Sequence, residues 1–259
     1  MIFYWTVYLQ MSTSYILQGE RMRLVYDNFT IPVAFLNLFD IIIILVLVPL
    51  VDRVLEPFLK RIGYPLSQLK RIGIGMVFAV VSMLIAAGVE FARKADIAEG
   101  HNFTQTVGDK NYTAADLSVF AQIPQYTFIG ASEVFASITG LEFAYSQSPK
   151  AMQGVVMGLF LLTTGLGSYV GSLLVTIVNA ITSSHEWIPD EVNHGHLEYF
   201  FFVLAVVMFI DFGIFVLIAR RYVYVEDTLP ELDPPPDPDI GDPYLDDHGV
   251  KPLVKDAKK

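Results

Sequence analysis

The stretch from Asp40 to Val51, DIIIILVLVPLV, limits the possible folds more than any other part of the chain. After Asp40 it carries no charged or hydrogen-bonding side chain until Asp52. A helix built from it is apolar on every side, so it has no solvent face and belongs in lipid or a deep core. Blocks of the same kind recur along the chain, at about 2–17, 31–51, 72–91, 125–145, 151–181 and 199–219. About twenty residues are needed to cross a hydrocarbon core roughly 30 Å thick, and all but the first block reach that length. The sequence therefore predicts an all-α membrane protein in which residues 1–225 form one bundle of six transmembrane helices. The short first block carries Trp5, Tyr8 and Gln10, which suits a helix lining a wet space.

Basic residues predict the orientation. Arg53, Lys60, Arg61, Lys70 and Arg71 lie between the second and third blocks, Lys150 between the fourth and fifth, and Arg220 and Arg221 after the sixth. All fall on one side, which the positive-inside rule makes cytoplasmic. The sequons at Asn28, Asn102 and Asn111 all fall on the opposite side, as glycosylation in a lumen requires. Both termini are then expected in the cytoplasm. MIFYWTVYLQM has no basic n-region, so no cleavable signal peptide is expected there. Residues 226–259 are rich in proline and aspartate and too poor in apolar surface to fold alone, which predicts a disordered cytoplasmic tail. The same tail holds much of the net charge of -10, so that charge says little about the folded part.

Several chemistries are disfavoured. The chain has no cysteine, hence no disulfide, thiolate nucleophile or cysteine-bound metal. His194 and His196 form a metal-like pair without a third ligand nearby in sequence. Phosphate-binding, nucleophile-elbow and zinc-protease motifs are absent from the sequence. The reading is a non-enzyme with no cofactor, no metal and no nucleic-acid partner.

Polar groups inside the apolar blocks are therefore the candidate site. A charge at mid-membrane costs on the order of 3 kcal/mol on insertion scales, so such groups face a cavity or a partner. Glu133 is the clearest case. On an ideal helix it shares a small, polar face with Gly130, Ser137, Gly140 and Ala144. The alternative for it is a protonated carboxyl bonded to a neighbouring helix. Asn37 and Asp40 are three apart and share a face of the second block; Asn37 can donate and accept, and interhelical bonding is its alternative. Gly154/Gly158 and Gly167/Gly171 are small residues four apart, a spacing that lets helices approach closely. Asp211 stands alone in the sixth block, and Glu142 suits a gate or an ion pair near the cytoplasmic end.

SEVFASITGLEFAYSQSPK resembles the tenth transmembrane helix of the proton-coupled oligopeptide transporters, a branch of the major facilitator superfamily. FYWTVYLQM resembles their seventh helix and IPVAFLNLFDIIIILVLVPLVDRVLEP their eighth. The likeness runs to about Val225 and is closest in wording to the animal peptide/histidine branch. It implies two inverted three-helix repeats forming the C-terminal half of a twelve-helix carrier. By position, Glu133 would hold a substrate's amino terminus and serve as the proton-coupling candidate. Asn37 would bond the peptide end, and Ser137, Trp5 and Phe160 would line the pocket. Phe160 stands where many members have tryptophan, and Leu9 where intestinal and renal members have aspartate. The ExxER motif and the residues that hold the peptide carboxylate belong to the half without a counterpart in this sequence.

The implied partners are di- or tripeptides or histidine, protons, the bilayer and the missing six-helix half, in an endosomal or lysosomal membrane. This chain alone is expected to be inactive. Two other readings stay open. One is a membrane-embedded interaction module with a cytoplasmic adaptor on its tail, and the other is a facilitator-superfamily carrier of another substrate class.

Overall fold

The computed structural model of the chain describes residues 1–26, 29–107, 110–182, 187–189 and 191–224. Contacts divide the chain into two units, Met1–Arg221 and Tyr222–Lys259. In the second unit the rings of Tyr222 and Tyr224 meet edge to face, 5.5 Å apart. The tail at 226–259 and the sequon residue Asn28 lie outside the described residues.

The first unit is mostly helical. Its opening block is not one helix: α1 (Ile2–Tyr8) passes into a 3₁₀ turn at Leu9–Ser12 and then α2 (Ser14–Gly19). The break has a local cause. Gln10 Nε2 donates to the Thr6 carbonyl at 2.9 Å, and Ser14 Oγ donates to Gln10 Oε1 at 2.7 Å. Thr13 Oγ1 donates to the Leu9 carbonyl. Short polar side chains that bond the backbone compete with the helical ladder.

A short hairpin, β1 (Val25–Tyr26) and β2 (Phe29–Thr30), leads into α3 (Asn37–Leu50). A π turn at Val51–Leu55 joins α3 to α4 (Glu56–Arg61). Pro49 lies just before that turn and Pro57 just after it. A proline lacks the N–H its ladder position needs, and a widened turn absorbs the mismatch. Next comes α5 (Gln68–Ala98), capped by Ser67, whose hydroxyl accepts the Lys70 N–H. At 31 residues it is about 46 Å long, well over a hydrocarbon core. A second hairpin follows, β3 (Asn102–Val107) paired antiparallel with β4 (Lys110–Ala115). Then come α6 (Ile123–Ser132), a π segment at Glu133–Ile138, and α7 (Thr139–Ser146). Two long helices, α8 (Gln153–Ile181) and α9 (Leu197–Ala219), complete the unit.

Among the described residues, four helical stretches are long and apolar enough to cross a membrane: Val33–Arg61, Gln68–Ala98, Lys150–Ile181 and Leu197–Ala219. The block at 2–17 falls on two short helices joined by a 3₁₀ turn, and the block at 125–145 on contiguous helix with a π segment in its middle. Neither hairpin was expected of an all-α chain; both connect helix ends and leave the bundle helical.

The core forms around α5, which packs against α6, α9 and the π segment. Met76, Ala79, Met83 and Ala86 are buried along one stripe at spacings of three and four. The stripe continues with Glu90 and Arg93, both 0 % exposed. Arg93 donates two hydrogen bonds to Glu90, Nη2 to Oε1 at 2.5 Å and Nε to Oε2 at 3.0 Å. Its remaining arm reaches Asn193 Oδ1 at 2.5 Å, and Asn193 Nδ2 donates to the Thr113 carbonyl in β4. Gln18 of α2 donates to Glu90 Oε2 at 3.0 Å, while Gln122 and Gln125 donate to Gln18 Oε1. A second knot lies beside it, where Lys94 Nζ donates to Glu198 Oε1 at 2.9 Å with His196 Nδ1 3.0 Å from the same oxygen. Buried charges persist only when paired and hydrogen-bonded, and these are.

Candidate functional site

Glu133 opens the π segment and is partly buried. Tyr8 Oη, at the end of α1, donates a short hydrogen bond to Glu133 Oε2. No basic side chain pairs with this glutamate among the described residues. Tyr8 meets Trp5 edge to face at 5.4 Å, and Trp5 meets Phe160 of α8 the same way at 6.4 Å. Glu133, Tyr8, Trp5 and Phe160 therefore form a continuous line of contacts across α1, α8 and the π segment. Trp5 is held because Gly167 lets α8 close on α1: a Cβ there would stand 2.5 Å from Trp5 Cβ. Its indole Nε1 is sealed without a partner.

Ser137 also sits in the π segment and is buried. The π turn alters the face expected from ideal geometry, because it inserts an extra residue into the helical count. Gly130, before the turn, packs against Asp40 of α3, while Gly140, after it, packs against Met1 and Phe160. The small residues thus serve two neighbours instead of one common lining.

Asn37 begins α3 and is partly buried, with its Oδ1 sealed and unpartnered. It makes no direct hydrogen bond to Glu133 among the described residues. Asp40, one turn on, is buried and lies within electrostatic reach of Glu133. Phe160 and Asp211 line a cavity of about 340 Å³ with Met76, Gly140 and Phe215. Asp211 Oδ2 is sealed there without a partner. Glu142, expected as a gate or an ion pair, accepts from Gln68 Nε2 at 3.0 Å and is in no ion pair among the described residues.

Outside this line, Gly167 and Gly171 pack on α1 as the small-residue spacing predicts. Nothing lies within 4 Å of a Cβ built on Gly154 or Gly158, so that pair leaves an open face. Of the sequons, Asn102 and Asn111 are exposed at opposite ends of the β3–β4 hairpin. His196 bonds Glu198 and lies 3.4 Å from Lys94 Nζ. The sequence reading missed Tyr8 as the partner of Glu133, because a bond between residues 125 apart leaves no local trace.

A helical membrane bundle with buried carboxyl groups can be compared directly with known proteins. The sequence model of the POT family, PTR2, matches residues 1–191. The chain belongs to the POT family. A plant relative, Protein NRT1/PTR FAMILY 8.1 of Arabidopsis thaliana, is 40% identical over 228 residues, covering 85% of this chain and 38% of its own length. Solute carrier family 15 member 3 of Rattus norvegicus is 37% identical over 238 residues, covering 85% of this chain and 41% of its own. This POT chain therefore spans about two-fifths of the length of the relatives it matches.

Solved POT structures agree in fold. An auto-inhibited POT family peptide transporter superposes with a TM-score of 0.70 at 27% identity, over 88% of this chain and 40% of that one. The POT family transporter PepTSo gives 0.62 at 25% identity, over 86% and 40%. These relatives are transporters, not enzymes, and this POT chain is an integral, multi-pass membrane protein of their fold.

Proposed function

We propose that this chain supplies the C-terminal half of the substrate cavity of a proton-coupled symporter for di- and tripeptides, and for histidine. The observation that carries the reading is Glu133, an intramembrane carboxylate with a tyrosine and, among the described residues, no cation as its partner. A half-buried anion of this kind attracts an ammonium group strongly, because the effective dielectric around it is low. Glu133 would hold the substrate's amino terminus and carry the coupling proton when the substrate is away. Asn37 would bond the peptide end, and Ser137, Trp5 and Phe160 would shape the wall.

The partners in this reading are the substrate, protons, the bilayer and a second six-helix half that rocks against this one. Both termini face the cytoplasm, and Asn28, Asn102 and Asn111 carry glycans on the luminal side of an endosomal or lysosomal membrane. The likeness in fold to a POT family peptide transporter supports the substrate class. Proton-dependent peptide uptake into proteoliposomes tests the reading in two steps. The chain alone is expected to give none, whereas a complete transporter containing it is expected to give uptake that Glu133→Gln abolishes. Uptake unchanged by Glu133→Gln would remove Glu133 from the site and favour another substrate class.

A further inference from the structure

We propose that the cavity beside Asp211 is a second binding site of this domain, separate from the Glu133 site, for a small amphiphilic amine with an aromatic or branched apolar body. The effect of such a ligand on transport rests on the symport reading above; the binding itself does not.

The cavity is bounded by Met76 of α5, Gly140 and Phe143 of α7, Phe160 of α8 and Phe215 of α9, and it holds about 340 Å³. That volume falls in the range of sites that enclose small organic ligands. Among the described residues that line it, Asp211 alone has a polar side chain. Asp211 stands well inside the stretch Leu197–Ala219, at a depth where a carboxyl group needs a partner or a cavity. The bundle gives it no partner. Its Oδ2 is sealed with no hydrogen bond, and Asp211 is in no ion pair among the described residues. The Met1 amino group acts on it electrostatically without pairing with it.

The walls and the carboxyl group together define the ligand. Apolar and aromatic walls take a hydrocarbon or aromatic body, since burying it is favourable and asks for no hydrogen bond. The head group must then supply what Asp211 lacks. An ammonium brings positive charge and N–H donors at once, and aromatic rings close by favour the same cation. A lipid tail fits the walls but leaves Asp211 unpaired, and an anion is repelled. Phe160 belongs to two places, because its ring also meets Trp5 of α1. An occupied cavity therefore restricts Phe160 and acts on the wall proposed for the substrate.

Methyl NMR of the 259-residue chain, labelled on its methionine methyl carbons and held in nanodiscs of zwitterionic lipid, tests this. Met76 lines the cavity, whereas Met83, further along α5, does not. Phenylbutylamine is expected to shift the Met76 resonance saturably and to leave Met83 in place. Phenylbutanol, the same body without the charge, is expected to bind about tenfold more weakly. Asp211→Asn should remove that preference, and Ala144→Phe, which fills the cavity with a larger side chain, should remove the shift. No saturable shift at Met76, equal binding of amine and alcohol, or a preference that survives Asp211→Asn overturns the assignment. Equal binding is also the result if the Met1 amino group already satisfies Asp211. In a complete transporter the amine is expected to lower the maximal rate of peptide uptake without raising KM; a raised KM at unchanged maximal rate would put the amine in the substrate site instead. If the complete transporter moves no peptide at all, the symport reading falls while the NMR titration still decides the cavity.

Discussion

Replacing Arg93 with methionine would leave Glu90 buried and stripped of its cation. Arg93 is fully buried and makes three hydrogen bonds at 2.5–3.0 Å, two of them bidentate to Glu90. Solvent and salt do not screen a pair that neither reaches. Removing one partner of such a pair costs about 3–5 kcal/mol, mostly because the other charge is left uncompensated. For a domain of about this size each kcal/mol is worth roughly 2–4 °C of melting temperature, so Arg93→Met should melt roughly 6–20 °C early. Thermal unfolding in detergent, followed by circular dichroism, is the assay. Two controls frame it. Lys60→Ala breaks an exposed pair with Glu56 at 2.9 Å and should cost about 1 kcal/mol or less. Glu90→Gln combined with Arg93→Met removes both charges and should recover most of the loss. If Arg93→Met melts with the Lys60 variant, or the double substitution is no better than the single one, the pair is not the fastening inferred from its burial.

The other outcomes are smaller but equally direct. Gly167→Ala puts a Cβ 2.5 Å from Trp5 Cβ and 2.9 Å from the Ile2 carbonyl; it should cost about 1–3 kcal/mol of stability by overpacking, while Gly158→Ala, with open space around it, should not destabilise in the same melt. Asn179 accepts the Ile188 N–H at 3.1 Å and donates to the Ile188 carbonyl at 2.8 Å. Asn179→Ala should therefore speed hydrogen exchange at the Ile188 amide, with a stability loss of about 1–2 kcal/mol. Glycosidase treatment of the chain from animal cells should lower its apparent mass, and Asn102→Gln with Asn111→Gln should shrink that shift; no shift in the parent chain would refute the luminal orientation.

The apolar blocks were legible because lipid imposes a length and a composition that need no knowledge of neighbours. Glu133 was legible for the same reason, as a charge where charges are expensive. Its surroundings were not. The π segment at Glu133–Ile138 obeys no local signature, so ideal helical spacing assigned Gly130 and Gly140 to one face when they meet different helices. The Glu90–Arg93 pair continues the three-and-four spacing that runs up from Met76, yet Glu90 falls at the end of the 72–91 block and Arg93 just past it, in what reads as loop. The β3–β4 hairpin could have been found: NFTQTV and KNYTAA are rich in β-branched and aromatic residues. The Tyr8–Glu133 and Asp40–Gly130 contacts depend on how helices cross, which one chain's pattern does not encode.

The buried knots also set where this half can bend. At the hairpin end, α2, α5 and the segment leading into α9 are fastened by the buried charges of Glu90, Arg93 and Glu198, and β4 joins them through Asn193. At the opposite end, α5 meets α7 through exposed contacts from Gln68 to Glu142 and Ser146. Water can replace those bonds at almost no cost, but it cannot replace the others. The half-bundle is thus built like a pair of tongs, riveted at one end, with α5 and α7 meeting at the other through bonds that water can share.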